Sequence, residues 1–90
     1  MVKGTTTTGF NFSVDPDNVK DMRVIELLAK TKYDGLYFPE LADRILGAKQ
    51  KEKLYDHLAD KKGRVSPAKF GDALEEIMTA VNEAEETKNS

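Results

Sequence analysis

Cysteine and tryptophan are absent from this chain of 90 residues, histidine occurs once and proline three times. Without cysteine there is no disulfide framework, no thiol nucleophile and no thiolate-bound zinc. A single histidine, His57, rules out sites built on paired imidazoles, and its neighbours Asp56 and Asp60 make a weak metal set. No apolar run approaches the roughly 18 residues of a membrane span. The opening Met1-Val2-Lys3-Gly4, followed by four threonines, offers no apolar segment for a signal peptide. Glycine is scattered, with Gly63 and Gly71 isolated, so no phosphate-cradling loop is present. These absences point to a cytoplasmic protein with no catalytic equipment.

What remains is 39% hydrophobic and 33% charged, an ordinary balance for one soluble domain of this length. The net charge of −2 is unevenly spread. Residues 49–70 carry seven basic and three acidic side chains, a net +4, whereas residues 71–90 carry one and six, a net −5. Exposed charges contribute little individually, so this pattern reads first as two solvated helix faces and second as head-to-tail complementarity between copies.

Residues 1–9 are rich in Thr and Gly and read as a flexible leader. Phe10, Phe12 and Val14 alternate with polar residues, the signature of a short extended arm. Such an arm packs on the helices or pairs with another strand, and it also offers copies an edge for homo-oligomer formation. Asp15-Pro16-Asp17 is a helix start, predicting a helix to about Lys30 with Met22, Ile25 and Ala29 on one face and Val24 and Leu28 on its flank. Tyr33-Asp34-Gly35 breaks it. Phe38, preceding Pro39, is predicted to be extended and to fold under the loop. A short helix then spans 39–46, stopped by Gly47 as a left-handed cap, and another runs from about Ala48 to Ala59 on Leu54 and Leu58. Ser66-Pro67 opens the last helix, where Phe70, Ala73, Leu74, Ile77 and Val81 fall at helical spacing. Burying its four large members contributes on the order of 6–12 kcal/mol gross. Beyond Asn82 no apolar face remains, and residues 83–90 read as a polar tail. The prediction is an all-α single domain of four helices over 10–82 with a short extended N-terminal arm.

Three chemical readings fail on residue type. Asp60-Lys61-Lys62-Gly63-Arg64-Val65 has the glycine and apolar positions of a calcium loop, but Lys62 and Lys69 stand where oxygen ligands are required. The pair of helices around Gly47 has the outline of a DNA-binding helix-turn-helix, with Lys49, Lys51 and Lys53 on its second helix. Glu52 and Asp56 share that helix, and a pI near 5.4 argues against a nucleic-acid surface. Ser66 has a capping role before Pro67 and needs no role as nucleophile. The loop aromatics Tyr33 and Tyr37 are left as contact candidates.

The series Pro39-Glu40-Leu41, Ile45-Leu46-Gly47, Gln50-Lys51-Glu52-Lys53-Leu54-Tyr55-Asp56-His57-Leu58, Gly63-Arg64-Val65 and Glu75-Glu76-Ile77 resembles small proteins of long-tailed bacteriophages and prophages of Gram-positive hosts. The resemblance covers about residues 14–80. It departs at the Thr-rich start and at Ser66-Pro67-Ala68-Lys69, where an apolar residue is more usual. That family is regarded as tail assembly chaperones, so the resemblance implies a non-catalytic protein of the host cytoplasm, without cofactor or metal. It would bind the helical tape-measure protein and recruit subunits of the major tail protein. A protein of this kind offers an apolar groove to an amphipathic helix. The candidate contact residues are Tyr33, Leu36, Tyr37 and Tyr55, with Met22 and Met78 as adaptable fillers and Lys49, Lys51 and Lys53 steering an acidic partner. The alternatives are a structural virion or head–tail connector component and a small DNA-binding regulator.

Overall fold

The helix punctuation predicted from Asp15, Gly47 and Ser66 places most of the chain, and a hairpin completes it. The computed structural model describes residues 1–32 and 34–88. Two strands, β1 (Val2–Thr5) and β2 (Asn11–Val14), pair antiparallel, with Val2 opposite Val14 and Thr5 opposite Asn11. The helices α1 (Pro16–Val19), α2 (Met22–Thr31), α3 (Phe38–Leu46), α4 (Ala48–Leu58) and α5 (Pro67–Lys88) follow, with a 3₁₀ turn at Gly35–Tyr37 leading into α3. Helix accounts for 67% of the chain, so the helical character holds. The four-helix all-α prediction is corrected to five helices and a two-stranded sheet among the described residues.

The largest correction falls at the start. Residues 1–9 form β1 and the loop that returns the chain into β2. Thr6 N–H donates to the Phe10 carbonyl at 2.9 Å and Gly9 N–H to the Thr6 carbonyl at 2.9 Å, which closes a three-residue loop. Gly9 has φ 96°, the positive dihedral that such loops require after their turn. The threonines are individually engaged. Thr6 Oγ1 is buried and accepts from Phe10 N–H at 3.1 Å. Thr7 N–H donates to the Glu76 carboxylate at 2.6 Å, and the Thr8 carbonyl lies 3.0 Å from His57 Nε2. Phe10, Phe12 and Val14 all turn inward and are buried, and the Phe12 ring crosses Gly4 where a Cβ would collide with it. The outer edge of β2 is occupied too. Gln50 on α4 accepts from Ser13 N–H at 2.9 Å and donates to the Ser13 carbonyl at 2.7 Å, as a neighbouring strand would. The arm is therefore paired within the chain, with β1 along one side and Gln50 at Ser13 on the other.

The predicted helix from Pro16 to Lys30 is divided. Asp15 caps α1 by accepting from Asp17 N–H, and Asp21 caps α2 by accepting from Arg23 N–H at 2.8 Å. The break fixes which face of α2 meets the core. Val24 and Leu27 are buried, whereas Met22 is 69% and Ile25 47% exposed, so the predicted inward face lies outward. Phe38 is also corrected. Asp34 caps the 3₁₀ turn through Leu36 N–H at 2.9 Å, and the turn delivers Phe38 already helical, with φ −57° and ψ −44°, as the first residue of α3.

Gly47 joins α3 directly to α4 at φ 81° and ψ 159°. The dihedral is positive as predicted, but the extended ψ belongs to a region that glycine alone enters readily. The α4–α5 joint is a closed turn. Asp60 accepts from Lys62 N–H at 2.8 Å and Arg64 N–H at 3.0 Å, and Gly63 supplies φ 79°. These bonds hold the Asp60 carboxyl below the usual range, the Arg64 contact first. Ser66 Oγ accepts from Lys69 N–H at 3.4 Å and opens α5. All five predicted apolar positions of α5 are buried, from Phe70 to Val81. The helix then continues to Lys88 past the predicted tail boundary, where Glu85 meets Lys20 of the α1–α2 junction at 3.2 Å. Residues 89 and 90 of that predicted tail lie outside the described residues.

Candidate functional site

Helices α2 and α5 both rest on α3 and scarcely touch each other. Between them is a solvent-open groove of about 780 Å³, within the range of ordinary binding clefts. Its floor is Leu41 of α3 and Leu74 of α5, both buried, with the half-buried Phe38 ring at one end. Ile25, Leu28 and Ala29 of α2 form one wall, and Ala68, Gly71 and Met78 belong to the other. Gly71 lets the Phe38 ring approach α5 closely, since a Cβ there would fall 2.8 Å from its outermost carbon.

The groove is apolar below and charged at its lips. Asp72 and Glu75 line the α5 side and Lys32 the α2 side, and all three are exposed. The carboxylates extend along α5, because Asp72, Glu75, Glu76, Thr79 and Glu83 share an adjoining shallow depression. Among the described residues no group of three or more His, Asp or Glu is placed to hold a metal ion, and no helix is long and apolar enough to cross a membrane.

The candidate contact residues from the sequence do not form this groove. Tyr33 lies outside the described residues. Leu36 is 83% exposed at the 3₁₀ turn. Tyr37 is half-buried, with Lys30 Nζ 5.2 Å from its ring centre. Tyr55 on α4 is half-buried against Phe70, with ring centres 5.0 Å apart. Lys49 and Lys53 are exposed on α4. Lys51 is committed to Asp43 of α3 at 2.8 Å, and that hydrogen bond holds its ammonium above the ordinary lysine range. Of the two proposed fillers, Met78 lines the groove and Met22 is exposed without lining it.

Apart from Met78, the groove residues are not marked by the sequence, because each has an innocuous local explanation. Ile25 and Ala29 sit on a periodic apolar stripe, which normally means core. The available signal was the surplus: α2 is ten residues long and carries two adjacent apolar stripes, Val24–Leu27–Leu28 and Met22–Ile25–Ala29, of which one helix–core contact buries only one. No protein family, curated protein or solved structure matches the chain.

Proposed function

We propose that this protein is a non-catalytic binding module that receives an amphipathic helix in the α2–α5 groove. In this reading it acts as a tail assembly chaperone of a long-tailed phage in the host cytoplasm, with the tape-measure protein as its helical partner and major tail protein subunits brought to the complex. The phage assignment rests on the resemblance spanning residues 14–80. The binding mode rests on one observation: an apolar trough floored by Leu41 and Leu74 stays open between two helices that the rest of the fold holds apart. An amphipathic helix buries its apolar stripe in such a trough through residues spaced three and four apart. Exposed Ile25 beside the trough is the kind of apolar surface that marks an interaction site when it is contiguous with a groove.

Co-expression with the tape-measure protein, followed by pull-down and size-exclusion chromatography, tests this. The expected result is a soluble complex that is lost when Ala29→Trp and Ala68→Trp together fill the groove; both alanines are exposed, so the fold tolerates the change. Tyr55→Ala, on α4 away from the groove, leaves the complex intact. A tape-measure protein that stays insoluble and unbound contradicts the chaperone role. A complex lost with Tyr55→Ala and kept with the tryptophans moves the contact to α4.

A further inference from the structure

The lips of the groove carry opposite charges that have no ion-pair partner among the described residues. Glu26, Glu40, Asp43 and Glu85 each sit within 4.0 Å of a lysine or arginine. Asp72 and Glu75 have no such partner among the described residues, and neither has Lys32 across the groove. Exposed single charges are common, but these three stand on the two walls of one apolar trough, with the acids one turn apart on α5. A helix lying in the trough brings one flank against each wall. Its apolar stripe supplies the burial, and its flanks decide which way round it lies.

Building on the helix-binding reading above, we infer that the groove selects an amphipathic helix whose flank facing α5 carries Lys or Arg, set to meet Asp72 and Glu75. Lys32 favours an acidic or neutral residue on the opposite flank. The two flanks are not interchangeable on a helix of given direction, so this polarity fixes one orientation of the partner and disfavours its reverse. Two acids line the α5 wall against one lysine on the α2 side, so the basic flank is the stronger determinant. Water at the lips weakens each pair, and the preference falls as salt rises.

Two fluorescein-labelled helical peptides test the inference. They share one leucine stripe; one carries lysines along a flank, the other glutamates at the same positions, and both are neutral on the second flank. Fluorescence anisotropy is expected to give at least tenfold tighter binding of the lysine peptide to the wild-type protein. The gap closes in D72N/E75Q and reverses in D72K/E75K. It persists in E52K/D56K, which changes the net charge as much as D72K/E75K on α4, outside the groove. Equal binding of both peptides to the wild type overturns the charge inference and leaves the groove reading standing. Loss of the preference in E52K/D56K also overturns it, by assigning the effect to overall charge. Failure of both peptides to bind at all removes the groove reading and this inference with it.

Discussion

At the hairpin end, Phe10, Phe12 and Val14 are buried, and the polar groups around them are matched one by one: Thr7 to Glu76, Thr8 to His57, Ser13 to Gln50. At the α2–α5 groove, Ile25 is 47% exposed, and Lys32, Asp72 and Glu75 carry no partner among the described residues. Both regions are floored by the same core, so the contrast does not come from a shortage of apolar residues. It comes from geometry. The hairpin packs on α3 and α5 and is tied to α4 through Gln50 and His57, whereas nothing in the described chain spans the gap between α2 and α5 over α3. A domain of this size has a small margin of stability, and fully burying an Ile contributes about 1.5–3 kcal/mol. Leaving Ile25 half in water is therefore a cost of the kind borne by binding surfaces.

Substitutions sharpen the contrast in proportion to how closed each region is. Phe12→Ala removes a ring packed over Gly4 and is expected to cost about 3–5 kcal/mol in urea unfolding, a large share of the total. Gln50→Ala deletes the amide that closes β2, leaving Ser13 N–H and C=O half-buried without their partner; about 1–2 kcal/mol is expected, with faster hydrogen exchange at Ser13. Ile25→Ser, on the open side, is expected to change stability by less than about 0.5–1 kcal/mol while weakening helix binding at least tenfold. A loss of several kcal/mol for Ile25→Ser, or none for Phe12→Ala, breaks the comparison.

The sequence announces the helix ends well because their chemistry is local. Asp15 before Pro16, Ser66 before Pro67 and the glycine at 47 each act within a turn of where they stand, and the α5 stripe needs no knowledge of the rest of the chain. The hairpin is harder to read. Val2–Thr5 has one strongly strand-favouring apolar residue, and its strand character comes from pairing with Asn11–Val14 across a loop whose threonines look like a low-complexity leader. The signal that was present is Gly9, at the positive-φ position of a three-residue loop between two alternating segments. The face of α2 is harder still. Its two apolar stripes are equivalent by periodicity, and the Lys20–Asp21 break decides between them by reorienting the helix. The groove follows from that choice, so a search for exposed aromatics found Tyr37 and Tyr55 but not Ile25 and Ala29.

The open trough, rather than the aromatic and basic residues of α4 and the 3₁₀ turn, is the proposed contact surface. Methyl NMR of the labelled protein, titrated with the lysine-flanked peptide, tests it directly. Shifts concentrated at Ile25, Leu28, Leu41, Leu74 and Met78, with Val14, Leu54 and Leu58 unmoved, are the predicted result. Shifts centred on Leu36, Leu54 and Leu58 with the groove methyls unchanged would contradict the account.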